Sequence, residues 1–434
     1  MRFPGRPGMV ALRMNGRKAV VLTMALALAI SIATVVEFDG VTVDSGGPRA
    51  PGRGPGSVLR PNPALSQRAG PLVALPGEPD GTVVETPGAA EQPAAPVETT
   101  VPAPEPEPQG IYSHTQGPGL SAAVADIPVR VYVPNSGART VSIIDPATLE
   151  VVDTLPVGKV PHHITPSWDL SKLYVNNTEG DSLSVIDPRT GKVSDTIPVV
   201  DPYNLYFTPD GKKAIVVAER FQRLDFYDIG SWQLVKSLSV PWAGVDHADF
   251  TLDGRYFLAS TEFSGQVVKV DTETMEIVGR ATVGSLPIDV KSSPDGSVFY
   301  VSNQGRHGVS IVDPTSMEEI GFLPTGKGAH GLNVSRDAKL MYVSNRLGGS
   351  ISVIDLATRQ VAATWQVGGS PDMLQVSADG KQLWASNRYH GSVSVIDTAT
   401  GTVIKTIATG AGAHGLTLFP QPGRYSIGHN GVYR

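Results

Sequence analysis

From residue 127 onward, apolar and polar positions alternate in short runs broken by Asp-Gly or Thr-Gly. "SLSVID" (182–187), "SISVID" (350–355) and "SVSVID" (392–397) are typical of these runs. β-Branched residues at period two predict half-buried strands, and the glycine-bearing pairs predict tight turns between them. Two stretches lack this alternation. Residues 19–36, "AVVLTMALALAISIATVV", are uncharged and almost wholly apolar. As a helix at ~1.5 Å per residue they reach ~27 Å, the thickness of a hydrocarbon core. Residues 40–126 are rich in Pro, Gly and Ala, densest at "ETTVPAPEPEPQG" (98–110), and predict a disordered linker.

The alternating region is also periodic. "TPDGKKAIVVAE" (208–219), "TLDGRYFLASTE" (251–262), "SPDGSVFYVSNQ" (293–304), "SRDAKLMYVSNR" (335–346) and "SADGKQLWASNR" (377–388) align on Asp210, Asp253, Asp295, Asp337 and Asp379, and Asp169 extends the series backwards. The interval is 41 to 43 residues, and each unit reads as four strands, the period and content of a propeller blade. First strands open near His162, Tyr203, Asp246, Ile288, His330, Asp372 and His414. The fold class is therefore all-β: a seven-bladed β-propeller of four-stranded blades over 127–434. Its first complete run, "VRVYVPN" (129–135), reads as a second strand and needs the strand near 414–420 to complete a blade and close the ring.

Charge decides the topology ahead of the propeller. Residues 1–18 carry five basic residues and no acidic ones, while Glu37 and Asp39 follow the apolar span. That asymmetry predicts a cytoplasmic basic segment and a signal or anchor helix within 1–39, with everything beyond it extracytoplasmic. The domain is then membrane-anchored if the segment stays, or secreted if it is cleaved. The chain has no cysteine, which removes disulfides, thiolate metal sites, a cysteine nucleophile and covalent c-type haem attachment. A net charge of −6 without a basic face excludes nucleic acid as the expected partner. G-x-S-x-G, P-loop and H-E-x-x-H patterns are absent as well.

"YVNN" (174–177), "YVSN" (300–303 and 342–345) and the recurring "SVID" resemble the YVTN-repeat family of β-propellers. Blades two and three depart from it, with Ala218 and Thr261 where the motif has asparagine. Related seven-bladed folds include lactone-hydrolysing enzymes, surface-layer proteins and the haem-binding domain of cytochrome-type nitrite reductases. The resemblance therefore implies the fold and leaves the function open.

Candidate chemistry comes from the histidines. "GAHGL" occurs at 328–332 and again at 412–416. His162 and His163 open blade one, His247 blade three, His330 blade five and His414 blade seven. Seven is odd, so blades seven and one are neighbours. With Asp246, Asp289 and Asp372, these residues should ring the channel mouth. Arg306, His307 and His390 fall in loops between second and third strands and should share that face. His163 and His247 stand one place later than His330 and His414 relative to the turn aspartate, so strict alternation predicts that they do not all project alike. The plainer reading is that "GAHGL" is inherited by blade duplication. The sharper one is a ligand or partner-binding face, for a protein or a small molecule. Its metal version uses His162, His330, His414, His247 and Asp246 for a transition metal, or carboxylates and carbonyls for Ca²⁺; non-covalent haem is a further candidate cofactor. The expected function is an extracytoplasmic binding or scaffold module. The alternative is a metal-dependent hydrolase or a haem or metal redox protein, to which Glu219 and Glu262 would be candidate contributors. His429 cannot be placed by periodicity.

Overall fold

The computed structural model describes residues 110–434. The apolar span 19–36 and the linker as far as residue 109 lie outside the described residues. Among the described residues no helix is long and apolar enough to cross a membrane.

Seven antiparallel sheets follow one another around an axis. Blades one to six open with Pro161–Pro166, Asn204–Phe207, Val245–Phe250, Pro287–Ser292, Ala329–Val334 and Pro371–Val376. Blade seven is composite: Thr417–Phe419 pairs with Arg130–Asn135, joining the two ends of the propeller. First strands such as Val245–Phe250 are buried along their whole length, while rim strands such as Lys192–Pro198 are largely exposed. The apolar side chains meet between blades; Leu258 and Val267 of blade three, for example, pack with Val290, Phe299 and Val301 of blade four. The turn aspartates act locally: Thr208 Oγ1 donates to Asp210 at 2.6 Å and Lys212 N donates to the same oxygen at 3.1 Å.

In several blades the asparagine that ends the second strand ties it to the third. Asn345 Nδ2 donates to Ser350 Oγ at 3.1 Å and Ser352 Oγ at 3.0 Å, tying the second strand to the third. Asn177 and Asn387 repeat this arrangement. The preceding residue faces a β-bulge. In five blades the register shifts so that two first-strand residues oppose one second-strand residue. His162 and His163 oppose Asn176, Asp246 and His247 oppose Ser260, and Ile288 and Asp289 oppose Ser302. His330 and Gly331 oppose Ser344, and Asp372 and Met373 oppose Ser386.

A bulge frees backbone groups that must find partners in a dry interior. The serine supplies them. Gly331 N donates to Ser344 Oγ at 2.7 Å, and Ser344 Oγ donates to the Asp372 carbonyl of the next blade at 2.5 Å. Ser260 likewise receives His247 N at 3.2 Å and donates to the Ile288 carbonyl at 2.5 Å.

The lower face, on the side of the aspartate turns, is covered from two directions. Residues 110–126, expected to finish the linker, pack against the blades instead. Ile111 N donates to the Pro294 carbonyl at 2.8 Å, Tyr112 Oη to the Ser292 carbonyl at 3.0 Å, and Val124 is buried. The 423–434 segment rises into the channel, where Ser426–Gly428 and Val432–Tyr433 extend the inner edge of blade two into a six-stranded sheet. Gly428 permits the approach: its φ is 124°, and a Cβ there would lie 2.4 Å from the Leu205 carbonyl oxygen. Arg434 anchors the segment on Asp249 at 2.5 Å.

Ser344→Ala would leave the Gly331 N–H and the Asp372 carbonyl bare. The expected loss is about 1–3 kcal/mol, read as a lower denaturation midpoint in urea. An unchanged midpoint would show that the serine does not support the bulge.

Candidate functional site

The bulge overturns the alternation expected from sequence. Because two consecutive residues oppose one, both His162 and His163 reach the channel, their rings stacked at 5.4 Å with 11° between planes. His414 from the neighbouring blade touches both, with centroids 4.4 Å from His162 and 4.6 Å from His163. His247 lies 5.3 Å from His163 and 6.4 Å from His330, and His330 lies 6.3 Å from His414. All five are buried.

The sixth ring comes from outside the repeat. His429, carried up by the 423–434 segment, has its centroid 4.3 Å from His247 and 4.6 Å from His163. One ring nitrogen each of His163, His247 and His429 falls within 4.8 Å of the others. His429 Nδ1 lies 2.9 Å from Asn204 Oδ1, an acceptor, which fixes the proton on Nδ1 and leaves Nε2 with a lone pair. That Nε2, and Nε2 of His247, are buried without hydrogen-bond partners, while His247 Nδ1 faces Asp246.

A second group lies around Asp372. Arg346 Nε contacts its carboxylate at 2.5 Å, His330 Nδ1 lies at 3.4 Å, and His414 Nδ1 is also in contact with it. Arg388 Nη1 sits 3.2 Å from His162 Nε2 and 2.7 Å from His414 Nδ1. Asp246 Oδ1 is 2.6 Å from His247 Nδ1, yet neither oxygen of Asp246 has hydrogen-bond geometry with any partner.

Burial sets the protonation. It lowers His162, His330, His414 and His429 well below the usual histidine range, helped by neighbouring rings and arginines. His247 is pushed down to about 4 by the same burial. These five rings are therefore neutral near pH 7 and available as donors. Burial would raise Asp372, but Arg346 and His330 hold it below the usual carboxylate range. Burial and then Asp289 push Asp246 well above that range.

Of the residues selected from sequence, His162, His163, His247, His330, His414, Asp246 and Asp372 do converge. Asp289 is adjacent, but its oxygens are engaged structurally: Oδ1 accepts from Val290 N at 2.9 Å and Oδ2 from Leu332 N at 2.8 Å, the latter bridging two blades. Arg306 is held in its own blade by Glu319 at 2.5 Å and the Val283 carbonyl at 2.6 Å. His307 and His390 are exposed on the loops; His307 Nδ1 contacts Gln304 O and Gly328 N, and His390 Nδ1 lies 3.0 Å from Ser370 Oγ. The regrouping that sequence did not provide is His163, His247 and His429 in place of His162, His330 and His414.

Glu219 and Glu262 belong to the same end of the channel. Burial, followed by Asp246, raises each up to about 8. For a carboxyl whose folded pKa lies above its unfolded value, stability is present below pH 4.5 and is lost as pH climbs through about 8. Glu262→Gln removes that loss. With chelator present, its melting temperature should exceed that of the parent protein by a margin that widens from pH 5 to pH 9. A margin independent of pH would contradict the raised pKa.

Comparisons with known proteins agree on the architecture. A hydrazine synthase chain from Kuenenia stuttgartiensis is 22% identical with a TM-score of 0.55, covering 64% of this chain and 98% of that one. The dihydro-haem d1 dehydrogenase NirN, in complex with DHE, is 17% identical with a TM-score of 0.54, covering 71% and 78%. A putative 6-phosphogluconolactonase from Bacteroides uniformis is 18% identical with a TM-score of 0.55, covering 67% and 99%. Likeness at these identities shows the fold alone. No curated protein sequence matches the chain. Residues 110–422 match the model of the YNCE-like beta-propeller, and the chain belongs to that family.

Proposed function

We propose that this protein is an extracytoplasmic binding module that holds a transition-metal ion inside its propeller channel, on His163, His247 and His429. The observation that carries the reading is the convergence of three buried ring nitrogens within 4.8 Å. Zinc–nitrogen bonds of about 2.1 Å at a tetrahedral angle hold nitrogens about 3.4 Å apart, so the rings need only turn inward to close on an ion. Neutral imidazoles suit Zn²⁺, Cu²⁺ or Fe, whereas Ca²⁺ takes oxygen ligands, which this trio does not offer. Haem would need a slot between rings whose centroids here are 4.3 to 5.3 Å apart.

Asn204 acts as the orienting partner of His429, the arrangement that commonly fixes the tautomer of a metal-bound histidine. The basic and apolar segments at 1–39 support export of the propeller, by anchor or by cleaved signal. A scaffold role for the outer loops draws less support, because Arg306 is already paired within its own blade.

Tag-free protein should carry, or take up from Zn²⁺ or Co²⁺ titration, one equivalent of metal. His163→Ala, His247→Ala and His429→Ala should each weaken uptake at least tenfold, while His307→Ala and His390→Ala leave it unchanged. No uptake by folded parent protein, or uptake indifferent to all three channel variants, would end the metal reading.

A further inference from the structure

The residue after each second strand occupies an equivalent place at the channel mouth. Around the ring these residues are Ser136, Thr178, Glu219, Glu262, Gln304, Arg346 and Arg388, from blades seven, one, two, three, four, five and six. The charges are segregated. Two adjacent blades contribute carboxylates, two others contribute guanidinium groups, and neutral residues separate the pairs on both sides.

Proteins commonly neutralise such charges internally, but here they do not meet. Among the described residues, neither Glu219 nor Glu262 forms an ion pair, and Arg388 has no carboxylate partner; it rests against two neutral rings, His162 and His414. Arg346 is paired with Asp372, whereas Arg388 makes no ion-pair contact among the described residues and feels Asp372 only at longer range. Glu219, Glu262 and Arg388 each keep partial solvent access. Asp246, whose charge both glutamates feel, is 2% exposed and has Oδ1 2.6 Å from His247 Nδ1.

We propose that the mouth binds a small zwitterion of the amino-acid class, its ammonium group toward Glu219 and Glu262 and its carboxylate toward Arg388 and Arg346. The two halves of such a ligand match the two unpaired sectors in sign. A molecule with only one charge would satisfy one sector and leave the other bare, so the ring selects for both charges on one molecule. This site is distinct from the metal trio and stands whether or not an ion occupies His163, His247 and His429.

The test is calorimetric titration of the full protein with ω-amino acids from glycine to 6-aminohexanoate, with hexylamine and hexanoate as singly charged controls. One chain length should bind at least tenfold more tightly than either control. Glu262→Gln and Arg388→Gln should each weaken that binding at least tenfold while both variants still unfold cooperatively, Glu262→Gln at or above the parent's melting temperature. Glu219→Gln and Arg388→Met serve as second variants should either fail to fold. Absence of binding for every length, equal binding of the singly charged controls, or binding indifferent to the charge-removing variants would each overturn the proposal.

Discussion

A serine hydroxyl facing a bulge is the interaction on which the interior depends. In an unbulged strand, one of His162 and His163, or of Asp246 and His247, would turn away from the axis. The extra residue brings both inward, and it also releases an N–H and a carbonyl where no water is at hand. Ser344 answers both, accepting from Gly331 and donating to Asp372 of the next blade. Only a small side chain fits there: a Cβ on Gly331 would stand 2.4 Å from the same Asp372 carbonyl oxygen. One hydroxyl therefore does two things. It makes the bulge tolerable, and in blades three, four and five it locks the blade to its neighbour close to the axis.

The consequence, in blades one and three, is that two adjacent polar side chains rather than one reach the axis. Six imidazoles share it, with neighbouring centroids as close as 4.3 Å. Such packing is compatible with neutral rings and would be strongly opposed if several were charged, since Coulomb repulsion at these distances is poorly screened in a dry core. Burial depresses the histidines, and the single negative charge of Asp372 is met by Arg346. Neutral donors held without hydrogen-bond partners are costly unless something else bonds them. That imbalance at His247 and His429 is the physical basis for reading the trio as a ligand set rather than as packing.

Much of this was legible in the sequence, and the omissions have identifiable causes. The spacing from Asp210 to Asp379 gave the blade count, and the odd number of blades brought His414 beside His162 and His163, as the rings show. The bulge was not legible, because two residues opposite one look like ordinary strand when written linearly. Its signal was the serine of "VSN", whose role is clear only once the partner strand is known. His429 was missed because its segment has no repeat to align with; the glycines at 428 and 431 were the trace of its tight insertion. Arg306 was grouped with Arg346 and Arg388, yet it stands three places beyond Asn303 whereas they stand one place beyond Asn345 and Asn387. That shift takes it from the mouth to its own rim strand, where Glu319 holds it.

The departures from the repeat follow a physical logic. At Asn135, Asn177, Asn345 and Asn387 the amide that ends the second strand binds two hydroxyls of the third strand. Blades two and three replace it with Ala218 and Thr261, which forfeit that clamp, and the residues that follow are Glu219 and Glu262. A blade that gives up a stabilising contact and places a carboxylate at a crowded mouth has been bent away from the optimum for folding alone. The electrostatic penalty falls on the same two blades, where Asp246 and both glutamates resist ionisation together. Structural economy would have paired these acids with a cation or replaced them. Their persistence as unpaired groups beside a guanidinium in the same ring is what a ligand with two opposite charges would explain, and what packing alone would not.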